Sequence, residues 1–287
     1  MSLPTVLELL RLATGYLEGK GVARPRLDAE VLLAHVLQTE RIMLYVHHDR
    51  PLEPDEVAAY RALIGRRGRR EPVAYLTGEK EFYGRPFRVD PAVLIPRPET
   101  EHLVETAVAF AGERQALRGW DVGTGSGILA VTLACEIPES QWIATDLSAA
   151  ALAVARENAE RHGVAGRIRF VEGDLFAGGE SDGAWDLIVS NPPYLTAQEM
   201  AALPPEVRYE PSLALDGGPD GMAVIRRLIE EGWRFLRPGG LLALEIGAGQ
   251  AEACCRLVAA TGRYEAVRVT RDHAGHPRVL SCLRRGA

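Results

Sequence analysis

The sequence predicts an α/β fold: an open, mostly parallel sheet with helices on both faces, joined by a β-hairpin to a small helical domain that precedes it. Three observations predict this. From about residue 118 onward, apolar runs of strand length alternate with longer segments of helical period, as in a doubly wound sheet. The first run leads into a glycine-rich turn, Gly123-Thr124-Gly125-Ser126-Gly127, and then into an apolar helix start. Before Phe82 no convincing strand pattern occurs, whereas three segments carry apolar residues at helical spacing.

Those three segments are Thr5 to Glu18, Arg26 to Gln38 and Asp55 to Arg67, the last with Pro54 placed to start it. Residues 1–75 are therefore expected to form the helical domain. The cluster Arg66-Arg67-Gly68-Arg69-Arg70 ends the third helix, where the dipole favours positive charge, and reads as a solvated helix end ahead of a binding patch. Residues 76–98 read as the linker, because Glu79 to Ile95 spaces Phe82, Phe87, Val89 and Val93 among Gly and Pro, as hairpins do. Pro96-Arg97-Pro98-Glu99-Thr100-Glu101 then leads into a helix from His102 to Phe110, with Arg97 and Glu99 placed so that they could form a structural ion pair.

Residues 99–287 carry the sheet. Gly119 to Val122 reads as its first strand, Gln141 to Thr145 as the second, Arg167 to Val171 as the third and Trp185 to Ser190 as the fourth. A helix over about 148–162 follows the second, with Asp146 and Ser148 equally placed to cap it. After Tyr194 a polar, proline-bearing stretch runs to Gly221, a candidate lid. Met222 to Leu236 is the next helix, stopped by Pro238-Gly239-Gly240; Leu241 to Ile246, Glu265 to Thr270 and Arg278 to Leu283 complete seven strands. The helix Gln250 to Thr261 carries Cys254 and Cys255 as small apolar filling of a reduced protein.

The strand ends carry the chemistry. In open α/β sheets ligands bind at the carboxyl edge. There the glycines let backbone approach a ligand closely, and the spacing is neither that of dinucleotide sites nor of a phosphate cradle. With acidic Asp121 just ahead, the loop Gly123, Thr124, Gly125, Ser126, Gly127 suits a ligand whose charged end is an amino acid. Asp146 ends the second strand at the position from which a carboxylate accepts bonds from ribose hydroxyls. Asp174 ends the third, placed to accept from an adenine amine while Leu175 packs on the ring. Asn191-Pro192-Pro193-Tyr194 ends the fourth. An Asn amide oxygen and a proline-stiffened carbonyl suit a planar NH2 group, on which an aromatic ring can pack. These residues are the candidate cofactor-binding set, with Asn191 also in it; Asn191, Pro192 and Tyr194 are the candidate catalytic residues and, with Pro193, the substrate-binding ones.

On these motifs the sequence resembles the S-adenosylmethionine-dependent methyltransferases. Within them it is similar to the protein-glutamine N5-methyltransferases of the PrmC/HemK family, which modify peptide chain release factors. The resemblance runs through Phe82 to Val89, Val93 to Glu101, Asp121 to Gly127, Ser190 to Tyr194, and Glu210-Pro211-Ser212-Leu213-Ala214-Leu215 with Asp216-Gly217-Gly218. It implies S-adenosylmethionine as cofactor, a seven-stranded Rossmann-like sheet with an antiparallel last strand, and a release factor's Gly-Gly-Gln glutamine as target. It also implies that the helical domain grips the protein substrate and that the Pro-Glu-Thr-Glu segment lies near the cofactor. Some members place tryptophan where this chain has Leu175.

Composition fits a cytoplasmic enzyme, with 47% apolar and 25% charged residues and no run long enough to span a membrane. Glu8 and Arg11 flank Leu9-Leu10, unlike a signal peptide. Neither the cysteines nor the histidines form a metal set, and His273 with His276 reads as a surface feature. Three other readings stay open: a ribosomal-protein glutamine methyltransferase, an adenine-N6 nucleic-acid methyltransferase acting on a flipped base, and an idle cofactor-binding adaptor for a translation factor. The net charge of −6 argues against nucleic acid.

Overall fold

A computed structural model describes residues 3–112, 114, 116–178 and 183–286. They form two compact units: one holds the described residues up to Glu79 together with Pro204–Tyr209, the other Lys80–Leu203 and the described chain from Glu210 on.

The first unit is helical, with α1 (Val6–Gly19), α2 (Pro25–Val36), the short α3 (Met43–Val46), α4 (Pro54–Gly68) and α5 (Val73–Thr77). Thr5 and Glu8 close a capping box on α1, and Val6, Leu9, Leu10, Ala13 and Leu17 turn its apolar stripe into the core. The arginine cluster departs from the solvated helix end. Arg67 is only 5% exposed and pairs with Asp28 at 2.7 Å and Glu206 at 3.0 Å. Arg70 also pairs with Glu206, and Arg66 with Glu71. Pro204–Tyr209 brings Glu206 to this unit, so the cations find fixed partners that local sequence does not reveal. Burial alone would raise the Glu206 carboxyl, but the bonds from Arg70 and Arg67 prevail and hold it at about 2.

The second unit opens with the hairpin β1 (Glu79–Phe82) and β2 (Arg85–Arg88), followed by α6 (Glu101–Ala111). Its sheet comprises β3 (Arg118–Val122), β4 (Gln141–Asp146), β5 (Ile168–Glu172), β6 (Trp185–Ser190), β7 (Leu236–Glu245), β8 (Tyr264–Arg271) and β9 (Pro277–Arg284). Their order is β5-β4-β3-β6-β7-β9-β8, with β9 antiparallel to both neighbours, as the resemblance implied. Helices α7 (Ile128–Glu136), α8 (Ala149–Arg161), α9 (Ala197–Ala201), α10 (Ala223–Gly232) and α11 (Ala251–Thr261) complete it.

Side-chain alternation sorts the sheet's two faces. Trp142, Ala144, Leu187, Val189, Leu241 and Ala243 join Leu103 and Val104 of α6 and the buried residues of α7 in one core. Trp120, Val122, Ile143, Ile188, Leu242 and Leu244 join Ile225 and Leu228 of α10 and Cys254 and Val258 of α11 in the other. Both faces are covered, so the central strands are apolar over most of their length.

Two expectations near β7 need correction. The helix after residue 222 ends at Gly232, four residues before Leu236. Pro238-Gly239-Gly240 does not stop it; these residues lie within β7, where Gly239 takes φ +74° and the pairing with β6 shifts register between Trp185 and Leu187. Chain breakers are tolerated in a strand at such an irregularity. The stretch after Tyr194 holds α9 and two single-turn 3-10 helices, Val207–Tyr209 and Ser212–Ala214. Among the described residues no helix is long and apolar enough to cross a membrane.

Candidate active site

β3 and β6 are parallel neighbours at the centre of the sheet, with Trp120 opposite Ile188 and Asp121 opposite Val189. The chain leaving β3 turns toward β4 and that leaving β6 toward β7. Divergence of adjacent loops opens a crevice at the carboxyl edge. A cleft of about 230 Å³ lies there, lined by Gly123, Thr124, Gly125 and Ser126, by Asp146, Asp174 and Leu175, by Asn191 and Pro193, and by Val93, Arg97 and Leu213 among others. Segments far apart in sequence thus meet in one place.

The glycine loop is held from both sides. The backbone N–H groups of Gly123 and Thr124 donate to the Thr145 carbonyl at 2.8 and 2.9 Å. Gly127 sits at φ +82° with an added Cβ only 3.1 Å from the Cβ of Ala155, so glycine is required there for backbone conformation and for packing on α8. Asp121 lies beneath the loop, fully buried and away from the cleft lining. Its Oδ2 accepts from Thr124 Oγ1 at 2.6 Å and the Ala130 N–H at 3.1 Å, while Oδ1 has no partner among the described residues. Burial, partly offset by those two bonds, pushes its carboxyl up to about 7. Asp121 therefore supports the loop, where the sequence reading had it among the ligand contacts; Gly127 likewise packs behind the lining.

Asp146 accepts from the N–H groups of Gly125 and Ser148, one on each oxygen, which fixes the carboxylate at the cleft wall. Burial raises its pKa against the pull of these bonds. A carboxylate offers about four acceptor directions, so capacity for further donors remains. Asp174 is half exposed and ion-paired with Arg227 at 2.9 Å. Leu175 takes φ +47°, uncommon for leucine, and its carbonyl accepts from Thr145 Oγ1 at 2.8 Å.

The Asn-Pro-Pro-Tyr turn is tied to the first strand by Ser190 Oγ, which donates to the Val122 carbonyl at 2.6 Å. Asn191 faces the cleft; Pro192 is buried, and Tyr194 lies half-buried beside it. Asn191 Nδ2 donates to Thr100 Oγ1 at 3.1 Å, Thr100 Oγ1 donates to Glu245 Oε2 at 2.7 Å, and the Tyr194 hydroxyl lies 3.4 Å from Glu245 Oε1. Gln250 Nε2 donates to the Tyr194 and Gly221 carbonyls, both at 3.0 Å. Leu195 and Asp216 form a bridge, so the loop beyond Tyr194 is closed at its base. Arg97 pairs with Glu210 at 2.5 Å, not with Glu99, and Glu210 also accepts from the Ile95 N–H. The partner of Arg97 lies within the long stretch after Tyr194, 113 residues on, out of reach of a local reading.

The family model described as the PrmC N-terminal domain matches residues 8–78, and that of the methyltransferase small domain matches residues 100–203. The release factor glutamine methyltransferase of Geobacter sulfurreducens is 46% identical over 259 residues, covering 90% of this chain and 89% of that protein. The protein of the same name from Rhodopirellula baltica is 42% identical and covers 96% and 95%. The chain belongs to the release factor glutamine methyltransferase family. A methyltransferase from Pyrococcus furiosus shares its fold, with a TM-score of 0.53 at 22% identity over 78% of this chain and 99% of that one.

Within this methyltransferase, four residues at the site were not singled out for a role in the sequence: Thr100, Glu210, Glu245 and Gln250. Thr100 and Glu210 do fall inside the segments that carry the family resemblance. Glu245 is a charge at the end of an otherwise apolar strand, a pattern that buried strands avoid unless the group is bonded. That signal was available.

Proposed function

We propose that the protein transfers a methyl group from S-adenosylmethionine to the side-chain amide nitrogen (N5) of the glutamine in the Gly-Gly-Gln loop of peptide chain release factors, in the cytoplasm. The observation that carries this reading is Asn191 at the carboxyl end of β6, facing the cleft with its Nδ2 committed to Thr100 and its Oδ1 unbonded among the described residues. Membership of the family supports the choice of acceptor.

The cleft suits the cofactor. A carboxylate with spare acceptor capacity, a glycine loop with positive φ at Gly123, Gly125 and Gly127, and the apolar side chains of Val93 and Leu175 line or flank one space. Asp146 would accept from the ribose hydroxyls, the loop backbone would hold the amino-acid end, and Asp174 with Leu175 would meet the adenine. When bound, the cofactor supplies an electrophilic methyl on a sulfonium.

A carboxamide nitrogen is a poor nucleophile because its lone pair is delocalised into the carbonyl. Asn191 Oδ1 and the Pro192 carbonyl would accept its two N–H bonds, align the nitrogen and stabilise the positive charge that develops there, and the N-methylated nitrogen would then give up one proton to solvent. Pro193 and Tyr194 would form the wall against which the amide plane packs. No Ser, Cys or His nucleophile is required.

Peptide mass spectrometry of an unmethylated release factor incubated with the protein and S-adenosylmethionine tests this. One added methyl on the Gly-Gly-Gln peptide, lost with Asn191→Ala, is the expected result. Label entering adenine of nucleic acid instead would overturn the substrate and keep the turn's chemistry.

A further inference from the structure

The Asn-Pro-Pro-Tyr turn stands on a buried hydrogen-bonded chain to which the reaction above assigns no task. Thr100 at the head of α6 and Glu245 at the end of β7 are 0% and 1% exposed. They meet Asn191 from β6 although 145 residues separate Thr100 from Glu245. Hydroxyl, carboxyl and amide are each fixed by a different element, so their order in space is a property of the fold.

The ionised carboxylate dictates the direction of every bond in that chain. It can only accept, so the single proton of Thr100 Oγ1 must point to it. Oγ1 then has only lone pairs to offer Asn191, and lone pairs select the NH2 end of the amide. Asn191 Oδ1 is thereby turned away from Thr100, as an acceptor for a substrate NH2. A protonated Glu245 removes the constraint: its own O–H donates to Thr100, whose proton is freed for Asn191 Oδ1, and the amide is stable in the reversed sense.

We infer that Glu245, acting through Thr100, is a positioning residue that sets the amide orientation of Asn191 and so makes recognition of the acceptor NH2 depend on its ionisation. The inference rests on the glutamine reading above. The charged and titratable groups that act on Glu245 are Arg278 of β9, Glu99 ahead of α6 and Tyr194 of the turn. Arg278 is held in turn by Asp272 at 3.1 Å. Burial pushes the Glu245 carboxyl up to about 7, against the lowering by Thr100 and Arg278, which brings the change of state into the range where enzymes are assayed.

Single-turnover methylation of a release factor at saturating S-adenosylmethionine, followed from mildly acid to mildly alkaline pH, tests the relay. The wild-type rate should fall on the acid side, and Glu245→Gln should abolish that limb. Thr100→Val should slow methyl transfer by about tenfold or more with cofactor affinity within about twofold of wild type, and Thr100→Ser, which keeps the hydroxyl, should recover most of the loss. An acid limb that survives Glu245→Gln, or Thr100→Val with the wild-type rate, overturns the inference. A readout free of turnover separates the two readings: the side-chain NH2 resonances of Asn191 should shift with pH in the wild type and not in Glu245→Gln. If they do while glutamine remains unmethylated, the substrate reading alone fails; if they are silent in the wild type, the relay fails.

Discussion

Asp121 beneath the glycine loop and Glu245 beneath the Asn-Pro-Pro-Tyr turn are both buried carboxyls pushed up to about 7 by burial, yet they are used differently. Asp121 draws both of its bonds from its own turn and the helix that follows it, Thr124 and Ala130, and leaves Oδ1 without a partner among the described residues. Glu245 spreads its oxygens over Thr100 ahead of α6 and Tyr194 after β6. The carboxyl of the first half is thus held within one local strand, loop and helix. The second half exists only when three distant elements have met. Substitutions in the first should therefore act on cofactor affinity, and those in the second on the rate of transfer.

The largest effect tests the second half. Asn191→Ala should lower the transfer rate by about 10²- to 10³-fold, the usual loss for one preorganised group in a transition state, while calorimetry finds cofactor affinity within about twofold. Equal losses in both would erase the distinction between the halves. Next, Asp146→Asn tests the first half. Loss of a charged acceptor should weaken cofactor binding by about tenfold and leave the rate at saturation close to wild type.

A smaller and more discriminating effect is on stability. A carboxyl whose folded pKa lies above its unfolded value holds a proton that the unfolded chain has released. Its contribution is present in full below the ordinary carboxylate range and is lost as pH rises through about 7. Relative to wild type, thermal melts of Asp121→Asn and Glu245→Gln should therefore decline less between mildly acid and neutral pH, by up to about 3 kcal/mol. The two should part on activity. With Glu245 the relay makes turnover rise with pH while this stability falls, whereas Asp121 moves stability without moving the rate of transfer at saturating cofactor. Parallel activity profiles for both variants would show that the carboxyls do the same work.

The contrast also explains how much was legible. Strand alternation, the glycine spacing, Asp146 at the end of β4 and Ser148 as cap of α8 are local patterns, and the folded chain keeps all of them. They give the number of strands, whereas the antiparallel last strand was implied only by the family resemblance. The pairing of Thr100 with Glu245 leaves no local mark, because their bond spans 145 residues. Arg97 and Glu99 share a segment, but the arginine's partner is Glu210, 113 residues on. Pro238-Gly239-Gly240 carried a correct local signal, a break, that the sheet absorbed within β7. Arg67 carried another, a helix end, and Asp28 with Glu206 buried it.

Within the cofactor half, Asp146 and Asp174 occupy equivalent strand ends and differ in burial. Asp146 is partly buried and fixed by two backbone N–H groups, whereas Asp174 is half exposed and already shared with an equally exposed Arg227. An exposed ion pair contributes about 0–1 kcal/mol, and water replaces a lost acceptor there at little cost. Asp174→Ala should thus weaken S-adenosylmethionine binding by about threefold or less, well short of Asp146→Asn in the same titration. A larger loss at Asp174 would mean that the exposed carboxylate is desolvated when the cofactor binds, and that the division between the two strand ends is made by the ligand and not by the fold.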